Sequence, residues 1–481
     1  MLAEITGLRA ADQPTHGGRL FAYVYDAGVA DLDELTAAAY ALGAPVNGLD
    51  PTAFPSLLAM ENALVGAASA LLGGGPGSSV VGNVTSGGTE SLILAVKGAR
   101  DGAGVAAPEL VLPGTAHPSF LKAAHYLGVR PVVVPVSAET LRPRAEDVAG
   151  AITERTVLVA CSAPAYPYGL VDPVAEIAAV AAERGVRCHV DACFGGWTLP
   201  YLRRLGVTVP PFDFSVPGVT SISVDLHKYA YTPKGVSVLL HRSDELRAGQ
   251  YFAYADWPGY TMVNPTIAST RSGGPIAAAY ATLRHLGDEG YLRLAAATWE
   301  AVRSLARAVA DVDGLRLMAE PESTVIAFTS VDSGLDLFVL ADELAARGWH
   351  TQPQLACPPG SAVAPEGLPR SIHLTVTAAV APQVASFGPD LADAVAAARA
   401  QGPVAVDESL LGLAAALTPE QLTLDTVAAL AAGLGFSLSG EGAPLPARRA
   451  TINTLVEAAA PAVREALFSA FLRLLQRPTY D

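Results

Sequence analysis

Four lysines, Lys97, Lys122, Lys228 and Lys234, occur in a chain of 481 residues whose 31 Lys+Arg are otherwise arginine. Two of them stand six apart in the tyrosine-rich stretch His227-Lys228-Tyr229-Ala230-Tyr231-Thr232-Pro233-Lys234-Gly235. Lysine is ordinarily among the commonest residues. An arginine can neither form an imine nor shed its proton near neutrality, whereas a lysine amine does both. A chain that uses arginine wherever charge suffices therefore nominates its remaining lysines for covalent or proton chemistry. A compositional bias against lysine would leave the same four, so scarcity nominates without deciding.

Three further segments carry residue types that could do chemistry. Val84-Thr85-Ser86-Gly87-Gly88-Thr89-Glu90-Ser91 reads as a strand turning into a helix. Glycines there let backbone N–H groups approach an anion, and the helix N-terminus supplies the favourable end of the dipole, which makes a candidate phosphate cup. An ordinary tight turn capped by threonine would look the same, and the segment lacks both the GxxxxGK[ST] lysine and the GxGxxG spacing. His189-Val190-Asp191-Ala192-Cys193-Phe194-Gly195-Gly196 puts Asp191 at the carboxyl end of a buried strand, where open parallel sheets bind ligands. A buried carboxylate needs a cationic partner; a protonated pyridine nitrogen would serve, and so would a role capping the next turn. Asp225-Leu226-His227-Lys228 again ends a predicted strand.

The elements that must position these residues follow from periodicity. Ser56 to Gly73 has helical spacing. Strand-like runs at Val80 to Val84, Glu109 to Pro113, Arg130 to Val136, Val157 to Cys161, Val186 to Asp191, Ser221 to Asp225 and Gly235 to His241 alternate with helical segments, among them Ile177 to Arg184. That alternation predicts an α/β fold with a mostly parallel sheet covered on both faces. A long connecting helix is expected at Gly290 to Ala310. Thr324 to Thr329, a helix from Leu335 to Arg347, and Ser371 to Thr377 follow as a smaller α+β unit. Two apolar helical stretches close the chain, Leu422 to Ala432 and the amphipathic Ala450 to Leu475, expected to serve core or subunit packing. Residues 1–55 read as an N-terminal arm, 56–290 as the large domain, 291–404 as a small C-terminal domain and 405–481 as an appended helical segment.

Composition bounds the partners. A formal charge of −15 argues against nucleic acid, since phosphate binding needs a basic surface. No apolar run approaches the ~18 residues that span a bilayer, and Met1-Leu2-Ala3-Glu4 lacks the pattern of a signal peptide, so a cytoplasmic location is expected. Cys161, Cys188, Cys193 and Cys357 show no metal-ligand spacing and read as reduced, mostly buried thiols; no metal is expected.

TSGGTES, HVDACFGG, DLHKYAYTPKG and Pro265-Thr266-Ile267-Ala268-Ser269-Thr270-Arg271, in that order, resemble the pyridoxal-phosphate enzymes of the group II decarboxylase superfamily, and within it the sphingosine-1-phosphate lyases. The resemblance runs from about Tyr25 to Thr377 and leaves the last eighty or so residues outside. It implies a fold-type I transferase-like architecture with pyridoxal 5'-phosphate in the large domain. Lys228 would hold the cofactor as a Schiff base, and Asp191 would keep the pyridine nitrogen protonated so that the ring acts as an electron sink. His117 matches the histidine that stacks on the ring. Gly87, Gly88, Thr89 and His227 fall at phosphate-contacting positions. Thr270 stands where the family places a serine reaching in from a neighbouring subunit, which implies a homodimer with shared active sites.

Within the resemblance, Lys234 favours a lyase, because that branch uses a lysine at this spacing on the substrate phosphate; Tyr25 matches a tyrosine near the same group, and Arg271, in the last of the four motifs, is a further candidate for substrate binding. The implied activity is carbon–carbon cleavage of an amine substrate with release of an aldehyde. Two departures stand against it. Asp50 occupies a position where the lyases have a phosphate-binding histidine, and a carboxylate a few ångströms from a dianion is repulsive by about 1 kcal/mol or more. Ser269-Thr270-Arg271 also replaces Gly-Ser-Arg. The Asp-Pro-x-x-Phe-Pro stretch at Asp50 looks like archaeal tyrosine and aspartate decarboxylases, so an L-amino-acid decarboxylase is the alternative. If Asp50 draws Lys234 into an ion pair, the phosphate reading falls. The loop Tyr251 to Tyr260 is expected to close over the site, and Lys97 and Lys122 are expected to be helix-surface cations that arginine could replace.

Overall fold

The computed structural model describes residues 1–435, 438 and 446–478. Seven strands form the central sheet: β1 (Val81–Thr85), β2 (Glu109–Pro113), β3 (Arg130–Val134), β4 (Thr156–Ser162), β5 (Arg187–Asp191), β6 (Ser221–Asp225) and β7 (Ser237–His241). Their spatial order is β1-β7-β6-β5-β4-β2-β3. From β2 to β6 the pairs are parallel, and β4 is buried along its whole length, as expected for a strand covered on both faces. β7 is the exception in a mostly parallel sheet, running antiparallel to both β6 and β1. Only the tight link 226–236, which holds both Lys228 and Lys234, joins it to β6, too short for a helical crossover.

This topology sends several loops out of one edge of the sheet. Thr85 and Asp225 both pair with Ser237, while Ser162 pairs with Asp191 and Asp191 with Ser223. The carboxyl ends of β1, β4, β5 and β6 therefore lie side by side, and whatever follows them converges.

Two short strands, β8 (Phe252–Tyr254), exposed along its length, and β9 (Met262–Asn264), form a separate hairpin. The long helix begins at Gly274, earlier than periodicity suggested, and runs to Ala310 through a break at Gly287, whose φ of 58° favours glycine. A second sheet, antiparallel throughout and ordered β10-β11-β13-β12, contains β10 (Leu315–Leu317), β11 (Val325–Ser330), β12 (Gln352–Gln354) and β13 (Ser371–Thr375). The N-terminal arm is woven into this unit: Phe21 is fully buried, stacks on Trp349 at 5.7 Å and meets Phe387 edge-on.

The C-terminal stretch read as one helix from Ala450 to Leu475 is two, Ala450–Ala458 and Pro461–Leu475. Proline disfavours the helical conformation of the residue before it, and Ala460 is extended at φ −60°, ψ 150°. Together with Glu408–Ala416 and Leu424–Gly433 these helices bury a core of their own around Leu422, Val427, Val463 and Leu474. Polar pins hold them to the small domain. Asp342 accepts the backbone N–H groups of Arg449 and Ala450 at 2.9 Å, and Glu457 accepts from Ala356 N–H at 2.7 Å and pairs with Arg370.

Candidate active site

The loops that converge at the sheet edge enclose a cavity of about 510 Å³. The glycine turn forms one wall. Gly88 opens the helix Gly88–Ala103, whose first-turn N–H groups have no carbonyl four residues earlier to bond. A Cβ at Gly88 would stand 2.9 Å from Asp225 Oδ2 and from Cys193 Sγ, so only glycine lets this turn lie against the ends of β5 and β6. Glu90, buried in the same turn, accepts the N–H of Ser86 at 2.6 Å and of Ile267 at 2.7 Å. It thereby fixes the turn to the segment that carries Thr270. Across the opening, His117 is oriented by the N–H of Ser119, which donates to its Nδ1 at 3.2 Å, and Thr89 Oγ1 bonds Ser119 Oγ at 2.9 Å.

Two carboxylates stand at adjacent strand ends and do different work. Asp225, 3 % exposed, lies 2.8 Å from Lys228 Nζ and accepts from Ser237 Oγ. Burial raises its carboxyl and the Lys228 and His227 charges overcome that, so the net direction is down. Burial likewise lowers the Lys228 ammonium, but Asp225 outweighs it and the amine is held protonated. His227 is pushed down, first by burial, and its Nδ1 is within 2.9 Å of the Val236 carbonyl. Asp191 meets no cation within ion-pair distance among the described residues; it accepts only the Cys193 N–H, at 3.0 Å, and borders the cavity. A buried carboxylate without a cation is a group waiting for one.

At the mouth, Tyr25 packs edge-on against Tyr229 at 5.2 Å and Phe194 at 6.0 Å, and burial pushes its phenol up. Lys234 Nζ sits 4.9 Å from the Tyr25 ring centre and donates to the Tyr23 carbonyl at 3.0 Å. Partial burial, then the Lys228 charge, lowers its amine. Asp50 makes no contact with it: its carboxylate is occupied by the Thr52 hydroxyl at 2.6 Å and by the N–H groups of Thr52 and Ala53, and these bonds hold its carboxyl low.

Nine of the residues singled out from sequence therefore share one cavity: Tyr25, Gly87, Gly88, Thr89, His117, Asp191, His227, Lys228 and Lys234. Asp50, Thr270 and Arg271 do not line it. Thr270 is exposed, and Arg271 instead pairs with Glu61 at 2.8 Å beneath Gly48. The loop Tyr251 to Tyr260 is also away from it, with Tyr254, Trp257 and Tyr260 exposed on the hairpin. Lys97 is no free surface cation: it is half-buried, donates to the carbonyls of Gly249 and Tyr251, and pairs with Asp101. Sequence reasoning gave no role to Asp225, Tyr166, Glu90 or Cys193, all of which border the cavity. Asp225 was findable by the strand-end argument that found Asp191. Tyr166, on an irregular loop, carried no such signal.

The lining fits a phosphorylated pyridine aldehyde. An amine is present for the aldehyde, an uncompensated carboxylate for the ring nitrogen, free helix N–H groups beside glycine for the phosphate, and a fixed imidazole opposite. The comparisons agree. Residues 13–331 match the pyridoxal-dependent decarboxylase conserved domain, and 408–474 match a pyridoxal-dependent enzyme C-terminal putative HTH domain. A sphingosine-1-phosphate lyase of Arabidopsis thaliana is 38% identical over 75% of this chain and 65% of its own length, and one of rice 36% identical over 80% and 70%. The chain thus spans about two thirds of these relatives. A solved sphingosine-1-phosphate lyase of Burkholderia pseudomallei superposes with a TM-score of 0.76 at 36% identity, covering 83% of this chain and 91% of that one. With two thirds of its length matching the family's conserved domain around a cavity suited to the cofactor, the chain belongs to the pyridoxal-dependent decarboxylase family.

Proposed function

We propose that this chain is a pyridoxal-phosphate-dependent carbon–carbon lyase that cleaves a phosphorylated β-hydroxy amine to an aldehyde and a smaller phosphorylated amine. When bound, the cofactor supplies an electron sink for the pair released as a bond to the α-carbon breaks. The chain supplies position and charge. Lys228 is the attachment point, Asp191 keeps the ring nitrogen protonated, His117 lies along the ring, and Gly87, Gly88, Thr89 and His227 hold the cofactor phosphate. Asp225 holds the Lys228 amine in place from the sheet side.

The observation that carries the substrate reading is Lys234. Its ammonium stands at the cavity mouth over Tyr25 with one carbonyl for a partner, leaving donors for an anion. The rival for it, Asp50, is committed to its own turn. Similarity to lyases favours the same reading over amino-acid decarboxylation. Incubation with a long-chain phosphorylated β-hydroxy amine should release one aldehyde per substrate consumed. Carbon dioxide from a panel of L-amino acids, with no aldehyde from any phosphoamine, would reverse the assignment to decarboxylase.

We further propose a homodimer, cytoplasmic in location. Thr270 and the aromatic residues of the β8–β9 hairpin are exposed and do not line this chain's own cavity, which suits a role at a second copy's site. Among the described residues no helix is long and apolar enough to cross a membrane. Mixing a Lys228→Ala chain with a Thr270→Arg chain should restore part of the activity only if sites are shared.

A further inference from the structure

Tyr166 borders the sheet-edge cavity, yet none of the roles given above uses it. Its ring is held by two neighbours. It stacks on His373 with ring centres 4.3 Å apart and meets Phe194 edge-on at 5.8 Å. His373 is itself fixed: fully buried on β13, it bonds Thr375 Oγ1 at 2.8 Å through Nε2. Burial lowers its imidazole to about 4, so a neutral ring lies against the phenol. The carbonyl of the next residue, Pro167, accepts from Gln354 Nε2 at 3.1 Å. Packing and outer hydrogen bonds of this kind lock a side chain in one rotamer. The hydroxyl at the end of the locked ring makes no hydrogen bond within 3.5 Å among the described residues; the nearby Thr375 hydroxyl is the one that His373 engages. Burial, opposed by Thr375 and by the Lys228 charge, pushes the phenol up, which leaves its proton in place.

Phe194 relates that hydroxyl to the rest of the site. Lys228 Nζ lies 5.6 Å from the centre of the same ring, Tyr25 meets it edge-on at 6.0 Å, and Lys234 stands over Tyr25. An amine, an ammonium at the mouth and a phenol are thus grouped about one aromatic ring. A phosphorylated β-hydroxy amine carries a matching set: an amine, a phosphate and a hydroxyl. Its amine belongs where Lys228 attaches and its phosphate at Lys234, which leaves the hydroxyl for Tyr166. The serine hydroxyls of the wall lie elsewhere, Ser86 in the glycine turn and Ser162 paired with Asp191 across strands. In carbon–carbon cleavage the β-oxygen passes from hydroxyl to carbonyl and gathers negative charge as its proton leaves. A fixed donor there acts more strongly on the transition state than on the bound substrate.

The geometry points to Tyr166 as a specificity-determining residue that donates a hydrogen bond to the β-oxygen of the substrate. The assignment rests on the lyase reading. Its test compares the cofactor-loaded parent with Tyr166→Phe, using a long-chain β-hydroxy phosphoamine as substrate and the same compound without the hydroxyl as competitive inhibitor. Removing the phenol oxygen should lower kcat/KM for the substrate by roughly tenfold or more. It should leave both the Ki of the deoxy compound and the visible absorbance of the bound cofactor unchanged. Equal kcat/KM in the two enzymes overturns the assignment while the lyase reading stands. A Ki that weakens as much as kcat/KM falls also overturns it, and moves the phenol to the phosphate end or to packing. So does a shift of the cofactor absorbance before any substrate is added, which gives the phenol to the cofactor ring. A parent that releases no aldehyde from any phosphoamine removes the lyase reading and the Tyr166 assignment together.

Discussion

The cavity at the sheet edge and the apolar groove lined by the C-terminal helices are opposites in construction. The one at the sheet edge is walled by loops from four strands and lined with ionisable groups, each held by a named neighbour: Lys228 by Asp225, His117 by Ser119, the glycine turn by Glu90. The one in the C-terminal helices has almost no polar lining, and its shape is set by leucines packed at helical spacing. The first depends on a few directional contacts between residues far apart in sequence. The second depends on summed apolar surface, to which each side chain contributes modestly. Single substitutions should therefore abolish the function of the first and change the packing of the second only by degrees.

That contrast can be broken at several points. Replacing Lys228 by alanine should reduce aldehyde release to background and remove the visible absorbance of the bound cofactor; retention of both would empty the sheet-edge cavity of its assigned chemistry. Gly88→Ala drives a Cβ to 2.9 Å from Asp225 and Cys193, an overpacking worth about 1–3 kcal/mol, and should lower both the urea midpoint and the cofactor retained after dialysis. Unchanged retention would mean the turn has room to yield. Lys234→Met should raise KM for a phosphoamine by roughly tenfold, the loss of one charge-assisted bond, with kcat little altered. A fall in kcat alone would move Lys234 from binding to chemistry.

The smallest expected effect concerns Asp172, which accepts the Ser162 N–H at 2.7 Å behind the cavity and has one carboxylate oxygen without a partner. Burial pushes its carboxyl from 3.8 to about 7, so folding favours the protonated form. Its stability contribution is present below about pH 4 and is lost as pH rises to about 7. Asp172→Asn keeps an acceptor for Ser162 without the ionisation. Its urea midpoint should stay flat over that window while the parent's falls; parallel curves would show that Asp172 does not titrate there.

Much of the sheet-edge cavity was legible because its parts are local. A glycine turn after a strand, a carboxylate at a strand end and a lysine beside a histidine are each visible in fewer than ten residues, and their order along the chain joined them. Tyr166 was not visible, because it reaches the cavity from an irregular loop after β4. The direction of β7 was not legible, because apolar patterning does not distinguish parallel from antiparallel pairing. Lys97 was misjudged and the partner of Asp50 left open for a shared reason. Sequence shows a charge but not its partner, and Asp50 proved to be bound by its own turn while Lys97 was taken up by two carbonyls and Asp101.

The sequence by itself determined the chemistry that is possible here. It supplied the amine, the strand-end carboxylate, the glycine turn and the alternation of strands and helices, because residue type and spacing set those directly. Only the tertiary structure decided pairing: that Lys228 bonds Asp225 and, among the described residues, leaves Asp191 without a cation, that Lys234 escapes Asp50, and that leucines of separate helices come to line one apolar groove. Electrostatic and packing energies depend on distances between residues remote in the chain, and those distances exist only once the chain has folded.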